Sequence, residues 1–173
     1  NCETDFVTKN EKFHELVAEL KEALISSDAK DIDAAKEVKL SDGKTIAERI
    51  VEETATIGEK ISFRRFERIV KNDDEVFGTY LHMGGKIAVL AVVKGASEEV
   101  AKDVAMQHAA MKPKYVFKED VPADEVARER EVLKEQAMNE GKPAEIAEKM
   151  VEGRLLKFYQ ETCLEEQSFV LDD

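Results

Sequence analysis

The sequence predicts an α+β fold with no catalytic centre, on three observations. Apolar residues recur at helical spacing in the first quarter, switch to strand-like alternation and a continuous apolar run in the middle, and return to helical spacing in a highly charged final third. Length and composition are compatible: 173 residues, 43% of them apolar, can bury one good-sized core or two small ones.

Thr8-Lys9-Asn10-Glu11 has the form of a capping box, a hydroxyl for one free amide and a Glu three residues on that reaches back. Phe13, Leu16, Val17, Leu20 and Leu24 then mark one face of an amphipathic helix of about four turns. A polar stretch from Ser26 to Asp42 follows, with room for a short helical turn at Ile32–Val38. Thr45-Ile46-Ala47-Glu48 is a second capping box, opening a helix through Ile46, Ile50 and Val51 that Gly58 ends.

From Lys60 to Val70 the period changes. Ile61 and Phe63 alternate with polar neighbours and Phe66 and Ile69 shift the phase, which reads as a strand with a bulge. Val76–His82 reads as a second strand and Met83-Gly84-Gly85 as a tight turn. Lys86–Lys94, apolar almost throughout, reads as a strand buried on both faces. Ser97 caps a helix with a small-residue face (Val100, Ala101, Val104, Ala105 and Ala109) that Lys112-Pro113 ends. Strand followed by helix occurs at Asn1–Leu24 and again at Lys86–Met111, a repeat of supersecondary structure with little residue identity.

Ala123–Asn139 and Pro143–Tyr159 are charged helical stretches joined by Glu140-Gly141-Lys142-Pro143, the punctuation of an antiparallel helical hairpin. Its stripe is thin on the first arm (Val126, Leu133, Ala137) and fuller on the second (Ile146, Met150, Val151, Leu155, Phe158). A hairpin with so little to bury projects into solvent or takes a partner. The organisation expected is 1–70, 71–122, the hairpin 123–160 and a return segment 161–173.

The formal net charge is −12, which argues against nucleic acid and anionic membranes as partners. No apolar run reaches membrane-helix length and no signal peptide opens the chain, so a cytoplasmic protein is expected. Cys2 and Cys163, far apart and without CxxC spacing, read as free thiols. His14, His82 and His108 have no second ligand at helical spacing, and no phosphate loop or nucleophile elbow is present. Neither catalytic residues, metal nor cofactor is expected. From the abrupt start in what reads as a strand, a piece of a longer chain is expected.

One junction has no evident internal use. Val7, ahead of the Thr8 cap, faces Lys12 where a hydrophobic staple needs an apolar partner. Phe6 beside it is either a core residue or an exposed ring next to a carboxylate, the anatomy of an interface anchor; periodicity leaves both open.

Asn1-Cys2-Glu3-Thr4-Asp5-Phe6-Val7 resembles the N-C-x-T-D-F-V signature of the elongation factor Ts family. Ile57-Gly58-Glu59 with Ile61 and Arg64-Arg65 is similar to its I-G-E-x-I-x-x-R-R segment, and Gly78-Thr79-Tyr80-Leu81-His82 to its G-x-Y-x-H strand. Gly141-Lys142-Pro143 and Ile146–Arg154 give the longest match, and Phe169-Val170 stands where the family has a like pair. The matches are collinear over the whole chain.

The resemblance implies two similar subdomains, each with a small antiparallel sheet and packed helices, and a helical hairpin protruding from the second. It implies a guanine-nucleotide exchange factor that releases GDP from elongation factor Tu by perturbing its magnesium and phosphate site. Asp5 and Phe6 correspond to the pair that wedges into the GTPase, supported by Thr4, Val7, Ile57 and Gly58; His82 corresponds to a residue meeting another domain of that partner. The resemblance also implies an N-terminal helical module and further C-terminal sequence beyond the residues present here. The alternative left open is a structural or dimerisation module that self-associates without exchanging nucleotide.

Overall fold

The computed structural model describes residues 1–172, which divide after Val70 into two units. In the first, α1 (Glu11–Ile25), α2 (Ile32–Lys36) and α3 (Ile46–Ile57) pack around Leu24, Ala35, Leu40 and Ile46. The Thr45 capping box forms as the sequence predicts: the Glu48 backbone N–H donates to Thr45 Oγ1 at 3.1 Å and the Thr45 N–H to Glu48 Oε2 at 2.7 Å. That carboxylate sits below the ordinary glutamate range, chiefly because the Thr45 amide favours its charged form. Arg49 joins the helices by pairing with Glu19 of α1, with Asp42 and with Glu52 of its own helix.

Two expectations fail at the start of α1. The helix is capped by Asn10, whose side chain accepts from Lys12 N at 2.9 Å, not by Thr8. The Thr8 hydroxyl instead donates to the carbonyl of Asp5 at 2.7 Å, serving the turn before the helix. Val17, placed by periodicity on the core face, is half exposed.

Residues 60–70 form no strand. Ile61 is buried, and Phe63 and Phe66 pack against the α1–α3 core from irregular backbone. Alternation there reports which side chains are buried, but no neighbouring chain supplies a ladder. One exception stands at the edge: Asn1 and Ser62 exchange both backbone bonds, at 2.8 and 2.9 Å, as an antiparallel pair does.

In the second unit β1 (Glu75–His82) and β2 (Ile87–Lys94) make the single sheet among the described residues, antiparallel, with Gly78 opposite Ala91 and His82 opposite Ile87. Helix α4 (Glu98–Met111) covers one face. A Cβ on Gly78 would lie 1.9 Å from the carbonyl oxygen of Ala101, so only glycine admits the helix at this distance. The alanines at 101, 105 and 109 are buried, as a close approach requires. Burial on β2 alternates instead of covering both faces: Ile87, Val89, Ala91 and Val93 are half-buried, while Ala88, Leu90 and Val92 are exposed. A continuous apolar run is therefore not proof of a doubly covered strand.

The hairpin comprises α5 (Ala123–Asn139) and α6 (Ala144–Thr162), with Gly141 left-handed at φ 77° between them and Pro143 at the N-cap of α6. It buries more against itself than its thin stripe suggests. Leu133, Val151 and Leu155 form its core, and Ala137 and Ala147 are fully buried, so small residues let the helices approach. Arg154 Nη2 donates to both carboxylate oxygens of Glu140, at 2.9 and 2.8 Å, and Arg130 pairs with Glu152 across the helices. Beyond α6 the chain runs beside 114–116, with Leu164 N donating to Tyr115 O at 2.9 Å. The buried Gln107 amide ties down the following segment, donating to Ser168 O and accepting from Val170 N.

Candidate functional site

The junction between Thr4 and Lys9 resolves the ambiguity over Phe6. Its ring is 87% exposed, while Val7 next to it is 6% exposed and anchors the turn in the core. Phe6 has right-handed helical backbone angles (φ −68°, ψ −43°), so it needs no strained conformation to stand outward. After it Val7–Lys9 form one turn of 3-10 helix.

Hydrogen bonds hold this turn from both sides. The Lys9 amide donates to Phe6 O at 3.2 Å, the Thr8 hydroxyl to Asp5 O, and the His14 Nε2–H of α1 to Thr8 O at 2.7 Å. On the other side, Thr4 is held by Glu59: the Thr4 amide donates to Oε2 at 3.0 Å and its hydroxyl to Oε1. Glu59 immediately follows Gly58, which ends α3 in the left-handed conformation at φ 81°. A side chain at that left-handed position would be strained, so glycine suits the corner from which Glu59 reaches Thr4.

The structure thus brings Thr4, Asp5 and Phe6 beside the corner at Ile57-Gly58, with Ile57 half-buried and Gly58 exposed. Glu59, which links the two, had no role assigned from sequence. The available signal was an acidic side chain directly after a left-handed glycine, within reach of free amides. His82 is elsewhere, at the exposed end of β1 in the second unit, its ring stacked on Tyr80 at 6.1 Å and 24°. It is followed by a turn with Met83, Gly84 and Gly85 all at positive φ.

Among the described residues no group of three or more His, Cys, Asp and Glu side chains is placed to hold a metal ion, and no helix is long and apolar enough to cross a membrane. Cys2 and Cys163 are not joined.

An exposed aromatic ring, fixed on a braced corner, has the form of an interface anchor. The elongation factor TS family model matches residues 3–173, and the chain belongs to that family. Its members act as nucleotide exchange factors for elongation factor Tu in translation elongation, and they are not enzymes.

Proposed function

We propose that Asp5 and Phe6 are the part of this exchange factor that enters elongation factor Tu, with the Phe6 ring as a wedge that disturbs the magnesium and phosphate site. One observation carries the reading: Phe6 is almost wholly exposed on a turn bonded at each neighbouring residue. A mobile ring would lose its contact energy to ordering; a fixed one delivers it to the partner. Thr4 and Val7 fix the corner, and Ile57 and Gly58 form the adjoining edge of the contact.

The magnitudes bound what the ring does. Burying one Phe is worth about 1.5–3 kcal/mol, and each tenfold loss of nucleotide affinity needs about 1.4 kcal/mol. Phe6 alone then supplies between about tenfold and a hundredfold if all of its energy is coupled. A second contact must hold the GTPase while the ring pries, and His82 fills that role. Coupling is reciprocal, so GDP with magnesium weakens the grip of this protein on its partner by the same factor. That lets the factor leave.

The domain organisation belongs to the same reading: 1–70 and 71–122 as two similar subdomains, 123–160 as the hairpin and 161–173 as the return segment, working in the cytoplasm. The Asn1–Ser62 pair supports a sheet edge in the first subdomain. The test is to measure the affinity of the chain for nucleotide-free and for GDP-loaded elongation factor Tu. The ratio should exceed tenfold and collapse toward one in Phe6→Ala. A ratio unaffected by that change removes the wedge.

A second reading, self-association, is favoured by the outer face of the sheet, where Leu81, Leu90 and Val92 stand exposed. Light scattering of the chain alone, then with the GTPase, separates the two: a self-complex without a heterocomplex favours this one.

A further inference from the structure

The turn that carries Asp5 and Phe6 is held at its two ends by anchors of different kind. On the C-terminal side the anchor is Val7, buried in the core. On the N-terminal side it is Thr4, gripped twice by one carboxylate, through its backbone amide and through its hydroxyl. Two bonds from adjacent groups of one residue to the two oxygens of Glu59 fix orientation as well as position, as a single bond would not. The carboxylate projects from the left-handed corner after α3, whose frame is set in turn by Gly58 and by the Thr45 capping box.

We infer that Glu59 is a positioning residue for nucleotide exchange: it holds Thr4 so that the Phe6 ring is presented in its productive direction. The inference rests on the wedge reading of Phe6. Glu59 acts through the backbone of residues 4–6, and the bonds already described account for its carboxylate without any contact to the partner. With Glu59 absent, the turn keeps Val7 and the bonds of Thr8 and Lys9 but loses its hold at Thr4, and the ring samples directions that do not enter the GTPase. If the competent fraction falls to about one tenth, the effect of the wedge falls about tenfold.

The chemistry of the grip predicts an unusual order among substitutions. Glu59→Gln keeps a carbonyl oxygen for the Thr4 amide, and its NH2 donates to the Thr4 hydroxyl oxygen, which accepts as readily as it donates. Glu59→Asp keeps the charge but is one methylene too short to reach. A contact valued for its charge would give the reverse order.

The experiment measures release of fluorescent GDP from elongation factor Tu at saturating exchange factor, with circular dichroism melting of each variant as a fold control. Glu59→Ala and Glu59→Asp should slow release about tenfold, while Glu59→Gln stays within about twofold of the parent. In a Phe6→Ala background Glu59→Ala should add no further loss, because both changes act on one ring. Release at the parental rate in folded Glu59→Ala overturns the inference and leaves the wedge standing. So does an equal fold-loss from Glu59→Ala with and without Phe6. If Glu59→Ala melts early, the folded Glu59→Asp decides: parental release overturns the inference. If Phe6→Ala itself releases GDP normally, the wedge fails first and the positioning role with it.

Discussion

Phe6 and His82 are both exposed aromatic side chains assigned to the same partner, yet the backbone beneath them is built in opposite ways. Around Phe6 the turn is tied by side chains from outside it, Glu59 to Thr4 and His14 to Thr8, and by Thr8 back to Asp5 within it. Beside His82 the turn is held by the bond of Gly85 N to His82 O at 3.1 Å, through three consecutive residues at positive φ. Two of the three are glycines, which take that conformation without cost but also leave it easily. A braced ring transmits force and suits a wedge; a ring beside a glycine turn adapts and suits a grip. On the proposed reading, this difference suits prying to the first unit and holding to the second.

Substitutions should separate the two supports, beginning with the largest effect. Gly78→Ala drives a methyl group into the Ala101 carbonyl beneath the strand that ends at His82. It should cost roughly 3 kcal/mol or more, at the upper end for overpacking, read as a lowered denaturant midpoint. Gly58→Ala forces an L-residue into the left-handed corner ahead of Glu59, at about 1–2 kcal/mol. It should also slow GDP release, since the corner that aims Glu59 shifts; a stability loss with normal release would uncouple the corner from the wedge.

His82→Ala should change stability by no more than about 0.5 kcal/mol, as an exposed residue does. It should weaken association with the GTPase while leaving release at saturation near the parental rate. If instead the saturated rate falls and affinity holds, the roles of the two rings are exchanged. The smallest effect is on pH. The Arg154 and Arg130 hydrogen bonds hold the Glu140 and Glu152 carboxyls below the ordinary glutamate range. Groups with a depressed folded pKa contribute stability above the unfolded value, about 4.3, and lose it as pH falls through the folded value. Acid below that range should therefore loosen the hairpin, and salt should weaken these exposed pairs at neutral pH. An acid titration of helical circular dichroism checks this.

Legibility in the sequence followed the range of the interactions involved. The Thr45 capping box and the left-handed Gly58 depend on neighbours within four residues, and both read correctly. Thr8 carries the same local signature, but its hydroxyl had a closer use at Asp5, so the cap moved to Asn10. The segment 60–70 alternates as strands do, but a ladder needs a second chain segment and alternation carries no information about one. The apolar run of β2 had enough hydrophobic residues to be covered twice, while its burial alternates, with α4 packed on one face. At the site, resemblance pointed to Thr4–Val7, Ile57, Gly58 and His82, whereas Glu59 is separated by 55 residues from the Thr4 it holds. No local pattern spans that distance.

The central claim is that the fold spends a nearly fully exposed phenylalanine on its partner and not on its own core. Stopped-flow release of fluorescent GDP from elongation factor Tu, at concentrations of the exchange factor that saturate binding, tests it in one comparison. Phe6→Ala should melt with the parent, within about 0.5 kcal/mol, and release GDP at least about tenfold more slowly. Release at the parental rate from a fully folded Phe6→Ala, or a large loss of stability in that variant, would contradict the account.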